Sequence, residues 1–200
     1  MNVRIFSLEK AYADRTRFSR CLVIAGGGNN GGDGLVCARH LKMFGYQPLV
    51  VYPKRTDKDL YKNLVRQCEQ MEIEVIDRMP TTTDKDFPFD LIVDAIFGFG
   101  FSGEIRQPFS DILKQLKQVE KSIPIVSIDV PSGWDVEKGP NSDDCLQPDC
   151  VISLTAPKLC MKHFRGKFHF LGGRFVPAAL KEKYQIILPE YSSSEQIVAI

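Results

Sequence analysis

Seven short apolar runs recur along the chain, at residues 21–25, 48–52, 74–76, 91–97, 123–130, 151–154 and 168–171. Several are continuous rather than alternating, the pattern of strands covered on both faces. Between them lie stretches with helical spacing at 33–44, 58–71, 109–120 and 177–184. In the first, Cys37, Ala38, Leu41 and Phe44 share a face, and Gly45 supplies a stop. In the second, Leu60, Leu64 and Cys68 recur every four residues. Strand–helix alternation demands mostly parallel pairing with right-handed crossovers. The fold class expected is therefore α/β: a three-layer, Rossmann-like, doubly wound, mostly parallel sheet. With 200 residues, 44% of them hydrophobic, the chain can fill one sizeable core. No repeat or linker divides it, so a single domain over 1–200 is expected. Loops are expected at 79–89 and 137–148, and a frayed tail at 192–194.

The first apolar run leads into Gly26-Gly27-Gly28-Asn29-Asn30-Gly31-Gly32-Asp33-Gly34. Glycines let backbone N–H groups approach a ligand, and a helix N-terminus favours an anion. Gly26, Gly28 and Gly31 match G-x-G-x-x-G literally, a weak signal by itself. An ordinary dinucleotide fingerprint also needs an acid after the second strand. Here that strand ends Val51-Tyr52-Pro53-Lys54-Arg55. There is no Gly-Lys-Ser/Thr, so the loop is not of the Walker type. Asn29, Asn30 and Asp33 add side-chain oxygens and amides to a backbone nest; the plainer reading is a tight turn with Asp33 as N-cap.

Two later runs each hold a single acid near the strand end: Asp94 in Leu91-Ile92-Val93-Asp94-Ala95, and Asp129 in Ile125-Val126-Ser127-Ile128-Asp129. Burying an unpaired carboxylate is costly, so each implies a partner, a cation or a task. In open α/β sheets ligands bind outside the carboxyl ends of the strands. Both acids and the glycine loop therefore converge on one crevice. After Asp94 comes Gly98-Phe99-Gly100-Phe101-Ser102-Gly103-Glu104, a loop whose backbone can fold around a phosphate or sugar. After Asp129 comes Val130-Pro131-Ser132-Gly133-Trp134. Trp134 either stacks on a ligand ring or packs in the core. Ser132 lies outside a G-x-S-x-G elbow and is no nucleophile. Asn30, Asp94 and Ser132 form an all-oxygen set with one carboxylate, suited to a hard, weakly charged cation rather than zinc.

Composition removes other classes. A net charge of +1 gives no global field for nucleic acid or acidic lipid, and no apolar run reaches membrane-spanning length. The charged first twenty residues lack an apolar signal core. A cytoplasmic location is expected, with mitochondrial or secreted locations left open. The six cysteines form no C-x-x-C pair and are expected to be reduced. Cys160, His163 and His169 are read as loop and strand residues without metal. Lys158, Lys162, Arg165 and Lys167 form a local basic cluster, read as a solvated face.

With these motifs assembled, the sequence resembles the NAD(P)H-hydrate epimerase family, also called the YjeF N-terminal domain or apolipoprotein A-I-binding protein family. The resemblance is carried by residues 29–34, 93–98, 127–135, 154–158 and 171–175, in family order, and is nearest to animal members. It spans a core of about 21–189, with a shortened N-terminal helical region. It implies an isomerase for nicotinamide cofactor repair, interconverting the R and S forms of hydrated NADH and NADPH at C6 of the nicotinamide ring. By resemblance, ligand-binding residues fall on Asn29, Asn30, Gly31, Gly32 and Asp33, on Gly98, Phe99, Gly100, Phe101, Ser102, Gly103 and Glu104, and on Asp129. One K+ per subunit would be held by Asn30, Asp94 and Ser132. A homodimer is implied, and apolipoprotein A-I is a possible partner.

Asp129 is the first choice as acid/base, since a carboxylate in an apolar strand holds its proton more readily than one in water. Lys158 either holds a phosphate, shares in proton transfer, or is a solvated surface lysine. Two other functions compete. One is a non-enzymatic partner protein on the same fold. The other is a nicotinamide-dependent oxidoreductase, opposed by the missing acid after the second strand and the lack of a Tyr-x-x-x-Lys pair.

Overall fold

The structure is a computed structural model that describes residues 7, 8, 10–14, 16–80 and 87–200. Eight strands form one sheet: β1 (Arg20–Ala25), β2 (Gln47–Val51), β3 (Val75–Ile76), β4 (Leu91–Ala95), β5 (Ile125–Ile128), β6 (Cys150–Leu154), β7 (Phe168–Gly172) and β8 (Ile197–Ala199). Their spatial order is β3-β2-β1-β4-β5-β6-β7-β8. Strands β1 to β7 pair in parallel, and β8 runs antiparallel to β7. The chain thus builds outward from β1 to β3, then returns to the other side of β1 as β4. The crevice between β1 and β4 is the topological switch point, where open α/β sheets place their ligands.

Each apolar strand feeds two layers because alternate side chains point to opposite faces. Cys21, Val23 and Ala25 join one buried cluster with Leu35, Ala38 and Leu41 of α1 (Asn29–Met43) and Val65 and Cys68 of α2 (Asp59–Gln70). Leu22 and Ile24 join the opposite cluster with Ile112, Leu116 and Val119 of α3 (Phe109–Val119). The arrangement is the three-layer α/β sandwich expected. Leu8 and Tyr12 also enter the first cluster, where the Tyr12 hydroxyl donates to Asp149 Oδ2 at 2.6 Å. A last helix, α4 (Ala178–Lys183), has no buried residue and adds nothing to the layers.

Two expectations need correction. First, α1 begins at Asn29 with Gly28 as its N-cap, so residues 29–33 are its opening turn and not a loop, and Asp33 is not the cap. The cause is close packing. A Cβ at Gly31 would fall inside the Gly26 carbonyl, and one at Gly34 would lie 2.6 Å from Ala95 Cβ. Glycine at those positions lets the helix start immediately against the sheet. Second, the segment expected to be a loose tail at 192–194 forms a hydrogen-bonded turn. Glu195 N–H donates to Ser192 O at 2.8 Å, Arg174 Nη1 donates to the carbonyls of Ser193 and Glu195, and the chain returns to pair with β7. Of the two readings of Trp134, core packing holds: it lies beside Val130, Val151 and Cys160, donating from Nε1 to Leu146 O at 2.8 Å. Of the loop expected at 79–89, residues 81–86 lie outside the described residues. None of the six cysteines, all among the described residues, is in a disulfide. No described helix is long and apolar enough to cross a membrane.

Candidate active site

A cavity of about 600 Å³ opens at the carboxyl edge of the sheet, over the β1/β4 switch point. Its floor is the start of α1. Gly32 N–H is the first to bond back along that helix, to Gly28 O at 3.1 Å. The N–H groups just before it have no intrahelical acceptor and carry the helix's positive end, so they favour an anion. Asn29, Asn30 and Asp33 line this floor. Tyr61 Oη donates to Asn29 Oδ1 at 2.7 Å, and Asn30 Nδ2 donates to Ile128 O at 3.2 Å. Gly31 and Gly32 are buried in the helix and do not line the cavity. Gly32 instead makes room for the Tyr61 ring.

The segment after β4 forms one wall. Gly98, Phe99, Gly100 and Phe101 line the cavity, and the Phe97 and Phe101 rings stack at 3.8 Å. Phe99 is 67% exposed over the opening. Ser102, Gly103 and Glu104 turn away and line a second cavity of about 480 Å³ with Trp134 and Asp135. The sequence placed these seven residues in one loop; the fold divides them at Phe101, which touches both spaces.

Asp129 and Lys158 form the opposite wall. Asp129 directly follows β5 and holds φ at +73°, a left-handed backbone that turns its carboxylate into the cavity. Lys158 Nζ donates to Asp129 Oδ1 and, at 3.0 Å, to Leu154 O. The other oxygen, Oδ2, accepts the Phe99 N–H at 2.8 Å. The ammonium also sits 5.4 Å from the centre of the Phe99 ring. Lys158 therefore leaves the basic surface cluster assigned to it; Lys162, Arg165 and Lys167 remain exposed. Thr155 lines the same wall at φ +69° and was missed. A β-branched residue in that region is strained, and such strain gathers at functional sites. Its only signal was its place in the Leu154–Lys158 motif.

Asp94 and Ser132 lie beneath the cavity. Asp94 is wholly buried and accepts four hydrogen bonds: from Ser132 Oγ (2.6 Å), Ser127 Oγ (2.8 Å), Ser132 N (2.9 Å) and Ile96 N (3.2 Å). Ser132 Oγ in turn accepts the Phe97 N–H at 3.0 Å. Burial raises the Asp94 pKa, and the bonds from Ser132, Ser127 and Ile96 oppose the rise. Every one of these donors is neutral. Among the described residues none gathers three or more His, Cys, Asp or Glu into a metal cluster. What the donor set fits is a weakly charged cation: one buried carboxylate without a cationic side chain, a hydroxyl and an amide. Asn30, the third member, comes from α1, with its side chain against Gly98 and its Nδ2 donating to Ile128 O.

Comparison with known proteins adds two findings. The family model described as YjeF-related protein N-terminus matches residues 5–160. Among solved structures, the crystal structure of the yeast protein YNL200c is 41% identical, with a TM-score of 0.88. That similarity covers 100% of this chain and 86% of the yeast chain.

Proposed function

The chain belongs to the family of YjeF-related N-terminal domains, and on that premise we propose that it is an NAD(P)H-hydrate epimerase of the animal type. It would interconvert the R and S forms of hydrated NADH and NADPH. The observation that carries this reading is the Asp129–Lys158 ion pair facing a cavity whose floor is a helix N-terminus. A dinucleotide needs an anion site for its pyrophosphate, and the start of α1 supplies one. Epimerisation at C6 needs a proton delivered to a leaving hydroxyl and recovered afterwards.

Lys158 Nζ delivers that proton, and the Asp129 carboxylate, which holds the ammonium in place, acts as the base that takes a proton from the incoming water. The hydroxyl departs as water while the ring nitrogen's lone pair forms the C6–N double bond. Water then adds to C6 on the opposite face, and its released proton restores the Lys158–Asp129 pair. No atom or electron is gained or lost over the cycle. Phe99, Asn29 and Asn30 line the space in which the rings and phosphates would lie.

A K+ ion would be held by Asn30, Asp94 and Ser132, where it would neutralise the buried carboxylate and order the segment after β4. The test of the epimerase reading is Asp129→Asn, followed by chromatographic separation of the two hydrate epimers. Interconversion should slow at least about a hundredfold with the fold retained, the usual weight of a positioned acid/base. A near-normal rate would remove Asp129 from the role.

A further inference from the structure

The segment after β2 does not itself line the cavity but packs against Gly27, which does, and it has no part in the chemistry above. In dinucleotide-binding sheets of this strand order, the end of the second strand meets the adenosine ribose. A carboxylate there binds a free 2′-hydroxyl, and a cation there accommodates a 2′-phosphate. This chain reads Pro53-Lys54-Arg55-Thr56 at that place. The segment is fastened to the cavity floor. Thr56 Oγ1 donates to Gly27 O, and Thr56 N–H donates to Tyr52 Oη at 3.2 Å. The Lys54 carbonyl lies 3.2 Å from where a Cβ of Gly27 would stand, and Gly27 lines the cavity.

The two cations differ in where they face. Arg55 Nη2 donates to Val75 O at 2.8 Å, toward β3 and the sheet edge. Lys54 Nζ sits 6.0 Å from the centre of the Phe109 ring, and that ring packs edge-on against Phe97 of the cavity wall. Lys54 is exposed, and no described carboxylate lies within ion-pair reach of it. The acid nearest in sequence, Asp57, is paired with Lys62. From β2 to β6 the sheet edge runs about 19 Å, at about 4.8 Å per strand, the span of an extended dinucleotide. Lys54 stands at one end of that span and Lys158 at the other.

We infer that Lys54 selects substrates bearing a 2′-phosphate on the adenosine ribose, so that hydrated NADPH is preferred over hydrated NADH. The inference rests on the epimerase reading for its substrate, and binding can test it apart from turnover. Epimerisation of both hydrates should be compared in the unaltered protein, Lys54→Ala and Arg55→Ala. Lys54→Ala should lower efficiency on hydrated NADPH about five- to tenfold, through KM, as expected for one charge-assisted contact at an exposed site. Its efficiency on hydrated NADH should stay within about twofold, and Arg55→Ala should change neither substrate. Calorimetric binding of NADP+ and NAD+ to the same proteins should show the same discrimination without turnover. Equal loss on both substrates, or none, together with indifferent binding, overturns the role of Lys54. Discrimination in binding with no epimerisation by any protein would sustain that role and overturn the epimerase reading instead.

Discussion

His169 on β7 points its Nε2 to within 2.8 Å of Ser153 Oγ on the neighbouring strand, with the Phe164 ring against its edge. Burial lowers its pKa below the usual 6.5. The fold therefore favours the neutral ring. That contribution is complete above the unfolded value and is lost as pH falls through the lower folded one. The urea midpoint should fall between pH 7 and pH 5.5, and His169→Gln should flatten that fall. His40 and His163 are common to both proteins, so the difference isolates His169. An identical slope in the variant would assign the acid sensitivity elsewhere. Residue identities at the candidate site were legible, but not their surroundings. Asp94 and Asp129 are indistinguishable as single acids at the ends of apolar strands. Only the fold separates a carboxylate held by four neutral donors from one that meets an ammonium. The Lys158 partnership joins residues 29 positions apart through two left-handed backbones, at Asp129 and Thr155, which no local pattern announces.

At the scale of elements, the junction of β1 and α1 shows what the glycine run is for. Gly26 and Gly34 let the helix press on β4, and Gly31 lets its first turn close over the Gly26 carbonyl. Gly28, the N-cap, has nothing within 4 Å of its Cβ direction and keeps φ at −106°, which any residue adopts. Gly31 and Gly28 should therefore respond to very different extents to the same change. Gly31→Ala forces a methyl into backbone and should cost more than about 3 kcal/mol, a large part of a typical domain's stability. Gly28→Ala should cost under about 1 kcal/mol, since glycine and alanine caps differ modestly. Urea unfolding of both variants checks this; equal costs would show that packing is not the reason for the run. The strands were legible because their apolar runs are continuous, and α2 and α3 fell within a residue or so of their expected bounds. The start of α1 was not, because glycine reads locally as a helix breaker and its value here is tertiary. β8 was missed for a similar reason: three residues near the chain end carry no period, and their partners on β7 lie 25 to 29 positions upstream.

At the scale of the whole molecule, strand alternation implied a doubly wound sheet but not where its winding reverses. That point, between β1 and β4, is what brings α1, the segment after β4 and the segment after β5 to one place. It also leaves the molecule with a wholly buried carboxyl group, that of Asp94. Asp94 ionises at a cost, because burial raises its pKa. Without a cation, stability tied to this group is greatest at low pH and declines as pH rises through the folded value. An ion bound by Asn30, Asp94 and Ser132 would offset that decline and tie α1, β4 and the β5–β6 connection together. Its binding would appear as global stability. At ten times its dissociation constant it adds about 1.4 kcal/mol, or roughly 3–5 °C in Tm for a domain of this size. Exchanging K+ for a bulky organic cation at constant ionic strength should lower the Tm by that amount near neutral pH. Asp94→Asn removes the charge that calls for the ion, so its Tm should not respond to the exchange. A Tm of the unaltered protein that ignores K+, or a variant that still follows it, would place the ion elsewhere or nowhere.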